Sequence, residues 1–463
     1  MINRFNIKIR MAALAVCAVM TAVSLLTVFG GVNASAVTFT PGFTISSEAA
    51  VMINLDKDVV VYSKNADKKM YPASLTKIMT AIVVLDNISD LENTYIEAPL
   101  VVFDELYGQN ASAVGLSRGE ITSAKDLMYS MLMRSACESA GILAYYVGGE
   151  SISNFVDMMN EKAAEIGCTG TNFVNPHGLY DDEQYTNAND MALIAKYAID
   201  NYPTFVEMAC TTEYEMSATN YHEEGWAHIY HTNNMLLRSS SYYYQYAKGI
   251  KTGTLDESGR NLCTMGSRDG NNYLLVTLGA PQYDDDGNVT YSVYDDHKNL
   301  YEWAFEKLEY KQIVAGGKEV SELQVKFGQD SDFVRLVTGS DYSTIWNTTV
   351  DTTRLKETIT IDEEYLNEDG TVTAPVTAGQ KFGTYTLSLS GEEVCTVDLV
   401  AQTDVEISLM QYNIDKAKKF LSSKWFIAAV GIAIGLIILY IIIYALSGKK
   451  KKKRRKVRRK RKF

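Results

Sequence analysis

The order of apolar and polar positions between residues 48 and 308 mixes short apolar runs with longer stretches of helical periodicity. The runs over 261–267 and 273–278 are joined through Asp269-Gly270, a dipeptide typical of tight hairpins. The predicted elements are a hairpin over 49–55 and 59–63, a largely apolar helix over 74–85, a helical stretch over 123–147 broken near Ser135, and strands over 249–254, 261–267 and 273–278. This pattern predicts an α+β domain in which helices cover an antiparallel sheet.

The pattern changes at about residue 310. From there to residue 408 the chain is rich in Val, Thr, Asp and Gly and has short alternating stretches, for example 383–390 and 394–400. A separate, small all-β domain is therefore expected. Residues 409–423 carry an apolar and Lys-bearing pattern that indicates a short linker helix at a surface.

Each end of the chain carries a long apolar run. Residues 11–32 follow Arg4, Lys8 and Arg10 and end near Ala34-Ser35-Ala36, which is the layout of a secretory signal peptide. We expect a signal peptide over 1–36, cleaved after Ala36, and leave an uncleaved N-terminal anchor as the alternative. The folded α+β domain then spans residues 37–309, and the β domain spans 310–408.

The second run, residues 425–446, has 22 residues without a charge, which suffices for a helix to cross the hydrocarbon layer. Lys or Arg fills 13 of the 15 positions from 449 to 463. Since basic flanks stay on the cytoplasmic side, the sequence predicts a transmembrane helix over 424–446, a cytoplasmic tail over 447–463 and an extracellular body anchored in the cell membrane. Membrane topology and anionic lipid explain this tail, so no nucleic-acid partner is expected.

Charge and cysteine content narrow the class of protein further. Without the 13 basic tail residues the net charge of −12 becomes −25 for residues 1–448, which indicates a solvated acidic surface. Five cysteines follow the signal segment in no paired or metal-like spacing, so neither a disulfide framework nor a zinc site is expected. The five histidines also lack metal spacing, and we expect no metal and no cofactor.

Three short segments carry candidate chemistry. Ser74 stands three residues before Lys77, at the start of an apolar helix, which brings both side chains to one helical face. A serine hydroxyl needs a base before it becomes a good nucleophile, and a lysine among apolar neighbours can serve as that base. Taken alone, this pair also fits a helix-capping Ser and a surface Lys.

The other two segments are Ser135-Ala136-Cys137 and Lys251-Thr252-Gly253. The first lies at a helix break, where a hydroxyl can face a cleft. The second lies on a predicted strand, where Gly253 permits close approach of a ligand and Lys251 with Thr252 can bind a carboxylate. The order and setting of the three segments are those of serine acyl-transfer enzymes.

Two other patterns are rejected. Gly115-Leu116-Ser117-Arg118-Gly119 fits the nucleophile elbow of esterases, but it lacks the preceding buried strand and the immediate helix, so Ser117 is predicted to lie in a loop. No Ser-His-Asp triad is supported, and His177 in Asn175-Pro176-His177-Gly178 is interpreted as structural.

With these motifs the chain closely resembles the low-molecular-weight penicillin-binding proteins that are D-alanyl-D-alanine carboxypeptidases. The resemblance covers roughly residues 48–405. The stretches that carry it are KNADKKMYPASLTKIMTA, TNFVNPHGLYDDEQYTNANDMALIAKYA, GIKTGTLDESGRNL and TAPVTAGQKFGTYTLSLSGEEVCTVDLVAQ.

The resemblance implies a penicillin-binding fold and a reaction on peptidoglycan stem peptides that limits cross-linking. Ser74 would attack the carbonyl between the two terminal D-alanines, Lys77 would accept its proton and Ser135 would help relay protons. Lys251 and Thr252 would hold the substrate carboxylate. The backbone N–H groups of Ser74 and Thr254 would bind the oxyanion. β-Lactam antibiotics would acylate the same serine.

Two departures from the family pattern concern the substrate. Most relatives have Asn at the third position of the middle motif, where this chain has Cys137, a weaker hydrogen-bond partner for Lys77 and for the substrate amide. Many relatives also place an arginine for the terminal carboxylate after the last core strand, where this chain continues Ala280-Pro281. We interpret the first departure as tuned activity, and the second leaves the recognition of the carboxylate open.

Alternatives from other classes remain at this point. A DD-transpeptidase differs only in using an amine in place of water as the acceptor. A non-catalytic penicillin-binding or cell-wall scaffold protein would be favoured by Cys137, whereas intact Ser74, Lys77 and Lys251 favour an enzyme. A class A β-lactamase would need a dedicated acid for deacylation, and no matching motif is present.

Overall fold

The computed structural model describes residues 39–459, with side chains described as far as Ser447. The signal peptide expected over 1–36 and the last four residues lie outside this range. Within it, helices and strands follow one another in the mixed order that the sequence predicts.

A five-stranded antiparallel sheet forms the centre of the first domain, in the order β2-β1-β9-β8-β7. Short strands β3 to β6 form two small ribbons beside it. The bounds are β1 Ala49–Asn54, β2 Val59–Lys64, β3 Tyr95–Glu97, β4 Ile121–Ser123, β5 Glu213–Glu215, β6 His228–Tyr230, β7 Ala247–Leu255, β8 Gly259–Arg268 and β9 Asn271–Ala280. Strand β7, which carries the Lys-Thr-Gly segment, is therefore an edge strand whose free side faces the helices.

Helices pack on both faces of this sheet. Their bounds are α1 Thr76–Asn87, α2 Leu100–Leu106, α3 Ala124–Met133, α4 Cys137–Val147, α5 Ile152–Ile166, α6 Ala188–Asn201, α7 Pro203–Cys210 and α8 Ser292–Lys307. Three of them begin at side-chain caps of the usual kind: Ser123, Ser151 and Asn187 each accept a hydrogen bond from a backbone N–H of the first turn. Helix α6 lies against β1 and β9 on one face, and α8 lies against β8 and β9 on the other.

The alternation of side chains along β1 divides the interior into two cores. Ala49, Val51 and Ile53 belong to the core beneath the helices that carry Ser74 and Lys77. Ala50 and Met52 belong to the core beneath α8, which continues into the second domain. All six residues of β1 are buried, so this strand separates the two cores.

The second domain is all-β, as predicted. A six-stranded sheet has the order β14-β16-β17-β12-β11-β15, and β10 pairs with β13. The bounds are β10 Leu308–Val314, β11 Glu319–Lys326, β12 Phe333–Thr338, β13 Tyr342–Asn347, β14 Lys356–Ile361, β15 Val372–Thr373, β16 Lys381–Leu389 and β17 Glu392–Ala401. Buried Trp346 meets Phe39 edge to face at 5.3 Å, so the two domains share packed aromatic surface.

Two helices end the described chain. Helix α9, Leu409–Ser422, has no buried residue, and α10 runs from Lys424 to Arg459. Its first part, Lys424–Ser447, is long and apolar enough to cross a membrane and is not covered by protein. The helix continues beyond the predicted span into the basic tail, because Lys and Arg are good helix formers.

Most predicted elements of the first domain are confirmed, including the hairpin of β1 and β2 and the helix break at Ser135. One expectation needs correction: Ser74 lies in a single 3₁₀ turn, Ala73–Leu75, and the α-helix begins only at Thr76. Ser117 lies in a loop without a preceding strand, as expected.

Candidate active site

Ser74 stands on a tight turn between Pro72 and helix α1, and its side chain is half-exposed. The preceding residue, Ala73, has a φ of 49°, a left-handed conformation that non-glycine residues rarely adopt. The turn is tied to the sheet by Asn261 of β8, whose amide nitrogen donates to the carbonyl oxygens of Tyr71 at 2.9 Å and Pro72 at 3.1 Å. Such backbone conformations persist only where the surroundings fix them, and here the buried Asn261 does so.

Lys77 lies one turn further along and is completely buried. Its Nζ donates to Ser74 Oγ at 3.2 Å, to the carbonyl oxygen of His177 at 2.5 Å and to Cys137 Sγ at 3.4 Å. One amine therefore contacts the candidate nucleophile and two other segments of the chain. This geometry lets Lys77 exchange a proton with Ser74 and holds the amine in place while it does so.

The loop 174–179 supplies that carbonyl group. Thr80 donates to Pro176 O, and Gly178 N donates to Asn175 Oδ1 at 2.7 Å, so the loop is attached to α1 and folded on itself. Gly178 has a φ of 81°, and a Cβ there would lie 2.0 Å from the carbonyl oxygen of Ala73. The loop thus packs against the turn that carries Ser74, too closely for any side chain at this position.

The ring of His177 points away from the nucleophile. Its Nε2 lies 3.2 Å from Glu105 Oε1, and its Nδ1 accepts a hydrogen bond from Leu179 N. Burial lowers the pKa of His177, the positive charge of Lys77 lowers it further, and Glu105 partly opposes them. The backbone of His177, and not its ring, contacts the site.

The middle segment sits where α3 gives way to α4. Ser135 is buried and has a φ of 63°, a second left-handed residue at the site. Cys137 begins α4 with 2% of its surface exposed, its N–H donates to Ser112 O at 2.8 Å and its thiol lies 3.8 Å from the carbonyl oxygen of Ser135. Glu138 accepts from the backbone N–H groups of Val114 and Gly115, which fixes the loop beside this segment.

The third segment lies on edge strand β7. Lys251 is completely buried, and its Nζ donates to Thr252 O at 3.0 Å. Burial is the main cause that holds the pKa of Lys251 well below its usual range, and the charge of Lys77 adds to it. Thr252 Oγ1 lies 2.8 Å from Thr232 Oγ1, while Thr254 is exposed.

Gly253 joins this strand to the nucleophile. A Cβ at Gly253 would lie 3.1 Å from Ser74 N and 3.1 Å from Pro72 O. The backbone of β7 therefore runs alongside the turn of Ser74, and a side chain at position 253 would crowd this approach.

The structure thus brings the three predicted segments to one place. Lys77 contacts Ser74 and Cys137 directly, and its charge acts on Lys251; Ser135 adjoins Cys137, and Thr254 follows Gly253 on the strand. Sequence reasoning missed the two tethers, Asn261 and the His177 carbonyl group. The sequence gives a weak signal for Asn261, an amide at the start of the predicted strand over 261–267, because an amide that is buried in a sheet needs hydrogen-bond partners.

Within residues 39–459, no cluster of three or more His, Cys, Asp or Glu side chains could hold a metal ion. The five cysteines in this range are free thiols. The groups that meet around Lys77 are the Ser74 hydroxyl, the Cys137 thiol and the carbonyl group of His177.

Comparisons with known proteins agree with this arrangement. A family model described as D-alanyl-D-alanine carboxypeptidase matches residues 34–282, and one described as the C-terminal domain of penicillin-binding protein 5 matches residues 308–407. Among curated relatives, D-alanyl-D-alanine carboxypeptidase DacA of Haemophilus influenzae is 28% identical over 372 residues, covering 78% of this chain and 86% of that protein. DacF of Bacillus subtilis is 25% identical over 360 residues, covering 78% and 86%.

Solved structures show the same fold. The D-alanyl-D-alanine carboxypeptidase DacD from Francisella tularensis matches with a TM-score of 0.62 at 23% identity, covering 81% of this chain and 97% of that chain. Penicillin-binding protein 5 from Haemophilus influenzae matches with a TM-score of 0.55 at 24% identity, covering 80% and 99%. Fold and site together define a penicillin-binding protein with a serine-lysine centre.

The family model of the first domain covers more than half of the chain. This protein belongs to the D-alanyl-D-alanine carboxypeptidase family, as the resemblance of its motifs predicted.

Proposed function

We propose that this protein is a serine-type D-alanyl-D-alanine carboxypeptidase that removes the terminal D-alanine from peptidoglycan stem peptides through an acyl-enzyme on Ser74. The observation that carries this proposal is the contact of the Lys77 amine with Ser74 Oγ, at the point where the Lys-Thr-Gly strand passes the nucleophile. Family membership supports the substrate class.

In the first step Lys77, as the neutral amine, takes the proton of the Ser74 hydroxyl while Oγ attacks the carbonyl carbon of the penultimate D-alanine. The peptide C–N bond then breaks, and D-alanine leaves with a proton on its nitrogen. The N–H groups of Ser74 and Thr254 stabilise the oxyanion, and loss of one such donor typically slows catalysis by about 10² to 10³. Ser135 relays protons between the amine and the leaving group.

Water next attacks the ester, and the shortened stem is released with Ser74 restored. The stem then lacks the donor bond for cross-linking, so the enzyme limits cross-linking of the wall. Lys251 and Thr252 hold the terminal carboxylate, with Gly253 allowing its approach. Cys137 lines the site beside Lys77, and β-lactams acylate Ser74 in place of the peptide.

We infer further that the protein is anchored by one membrane span over 424–446, with residues 37–309 and 310–408 on the wall side and the basic tail in the cytoplasm. An apolar helix in the right place supports the anchor, and 13 basic residues after it support the orientation. Protease added to intact cells would remove both extracellular domains, and a tag after residue 463 would stay protected.

The test of the activity uses the full-length protein in detergent and a stem peptide ending in D-Ala-D-Ala. Wild type is expected to release D-alanine and to retain a fluorescent penicillin covalently. Ser74→Ala is expected to do neither, while Ser117→Ala, which removes a loop hydroxyl of the esterase-like segment, keeps both activities. Release by Ser74→Ala at the wild-type rate would refute the proposal.

Transfer to an amine is a second candidate activity. The Streptomyces K15 DD-transpeptidase has a similar fold, with a TM-score of 0.51 at 24% identity over 57% of this chain. Mass spectrometry of the same reaction with added glycine distinguishes the two, since transfer yields a stem that carries glycine in place of the terminal D-alanine, whereas hydrolysis yields only the lighter, shortened stem.

We also propose that the β domain is a spacer that holds the site above the membrane, because it lies between the site and the anchor in the chain. Deletion of residues 310–408 should abolish wall trimming in cells, and thermal melting of the deleted protein reports whether the first domain keeps its fold without the contact of Phe39 with Trp346. Normal trimming by the deleted protein would contradict this role.

A further inference from the structure

Arg260 stands at the start of β8, in the strand next to the Lys-Thr-Gly segment. Its Cα is paired with that of Thr254 on β7 and with that of Ala280 on β9. Directly opposite residues of an antiparallel pair point to the same face, and Thr252, two residues before Thr254, is one of the two diagonal positions within reach of a long side chain. Arg260 therefore shares a sheet face with the two threonines that border the proposed carboxylate site.

Two contacts fix the side chain of Arg260, but among the described residues it forms no ion pair. Its Nε donates to Thr290 O at 2.8 Å, and its guanidinium carbon lies 4.0 Å from the ring centroid of Tyr291. Within the part of the chain that the structure describes, no carboxylate lies within salt-bridge distance of Arg260, and its terminal nitrogens donate no hydrogen bond.

Arg268 at the other end of the same strand provides a contrast. Its guanidinium group also stacks on an aromatic ring, that of Tyr246, but it lies 3.3 Å from Glu302 and 3.5 Å from Asp269. Arg268 is thus an ordinary paired surface cation. The guanidinium group of Arg260 is held in place beside β7, and its two terminal nitrogens donate no hydrogen bond within the described residues.

After β9 the chain continues Ala280-Pro281, and neither of these side chains can donate a hydrogen bond or a charge to a carboxylate. Arg260 occupies the strand position opposite Ala280. A guanidinium group binds a carboxylate through two parallel N–H···O bonds, and a stacked, half-buried arginine loses little entropy when it does so.

We propose that Arg260 binds the terminal carboxylate of the substrate, together with Thr252, and so determines the preference of the enzyme for a free C-terminal D-alanine. This inference rests on the proposed function. Arg260 acts on substrate recognition, since it contacts neither Ser74 nor Lys77 in the described structure.

The experiment compares two stem peptides that differ only in the last group, a free D-Ala carboxylate or its amide. For each peptide, kcat/KM is measured for wild type, Arg260→Gln, Arg260→Lys and the matched control Arg268→Gln. Arg260→Gln is expected to lower kcat/KM for the free acid by about 10-fold to 150-fold, the range of a lost hydrogen bond to a charged group, and to leave the amide unchanged. Arg260→Lys should keep part of the preference for the free acid over the amide, and Arg268→Gln should keep all of that preference.

A fall of the same size for both peptides would assign Arg260 a structural role with Tyr291 and overturn the inference. No fall of kcat/KM for either peptide would also overturn it while leaving the proposed function intact, provided that wild type releases D-alanine. Wild type that releases none would refute both. Thermal melting verifies that each variant is folded, and Arg260→Lys provides the ratio if Arg260→Gln does not fold.

Discussion

The contact between Gly178 and the turn of Ser74 makes Gly178→Ala the sharpest probe of the site. A Cβ at this position would lie 2.0 Å from Ala73 O and 3.0 Å from Ser74 N. To reach an ordinary contact of about 3.4 Å, the loop and the turn must separate by roughly 1.4 Å. The substitution therefore displaces the nucleophile without removing any catalytic group.

Two costs follow from this displacement. A misplacement of about 1 Å in a catalytic group slows a reaction by about 10²-fold, so we expect Gly178→Ala to lower the rate of acylation by about that factor. A non-glycine residue with the φ of 81° also costs about 1–2 kcal/mol, and the clash adds about 1–3 kcal/mol of strain. The activity and the free energy of unfolding should thus both fall.

Gly167→Ala separates the two effects. Gly167 has a φ of 98° at the end of α5, and a Cβ there would meet nothing within 4 Å. This control should lose about 1–2 kcal/mol of stability and keep its activity. The assay is the rate of covalent labelling by a fluorescent penicillin, measured beside thermal melting. Labelling of Gly178→Ala within threefold of wild type, or an equal loss in Gly167→Ala, would refute the reasoning.

Three further predictions concern single side chains. Cys137→Asn replaces a weak acceptor beside Lys77 with an amide oxygen and should speed D-alanine release by about 2-fold to 10-fold, whereas a slower release would show that the thiol is required. Asn261→Ala removes both hydrogen bonds to residues 71 and 72 and should cost about 1–3 kcal/mol in denaturant unfolding together with slower penicillin labelling; normal labelling would show that the tether is dispensable. Burial lowers the pKa of His297 to about 3, so the folded state binds fewer protons than the unfolded state and stability should fall as pH drops from about 6.5 towards 3. Urea unfolding of His297→Gln should show a shallower fall over the same pH range, and an equal slope would contradict the assignment.

The sequence predicted the elements of the fold well because their signals are local. The alternation in 49–63, the hairpin at Asp269-Gly270 and the uncharged run 425–446 each depend on neighbouring residues alone. The three motifs were likewise found from short spacings and from the resemblance they carry. Their roles in the reaction stay predictions until the substitutions above are measured.

What the sequence could not give depends on contacts between distant segments. The carbonyl group of His177 meets an amine 100 positions earlier, and Asn261 holds a turn 189 positions away. Every residue has a backbone carbonyl group, so the residue types could not indicate the contact between Lys77 and His177. The cross-strand place of Arg260 required the register of β7 and β8, which no single segment specifies.

The buried amine of Lys251 also links substrate binding to protonation. Burial holds the pKa of this amine well below its usual range, and a substrate carboxylate beside it would raise that pKa. Where the pH lies between the pKa values of the free and the substrate-bound protein, binding would take up a proton, and affinity would weaken as pH rises through that range. The heat of binding should then vary with the ionisation enthalpy of the buffer, which calorimetry in two buffers of equal pH measures.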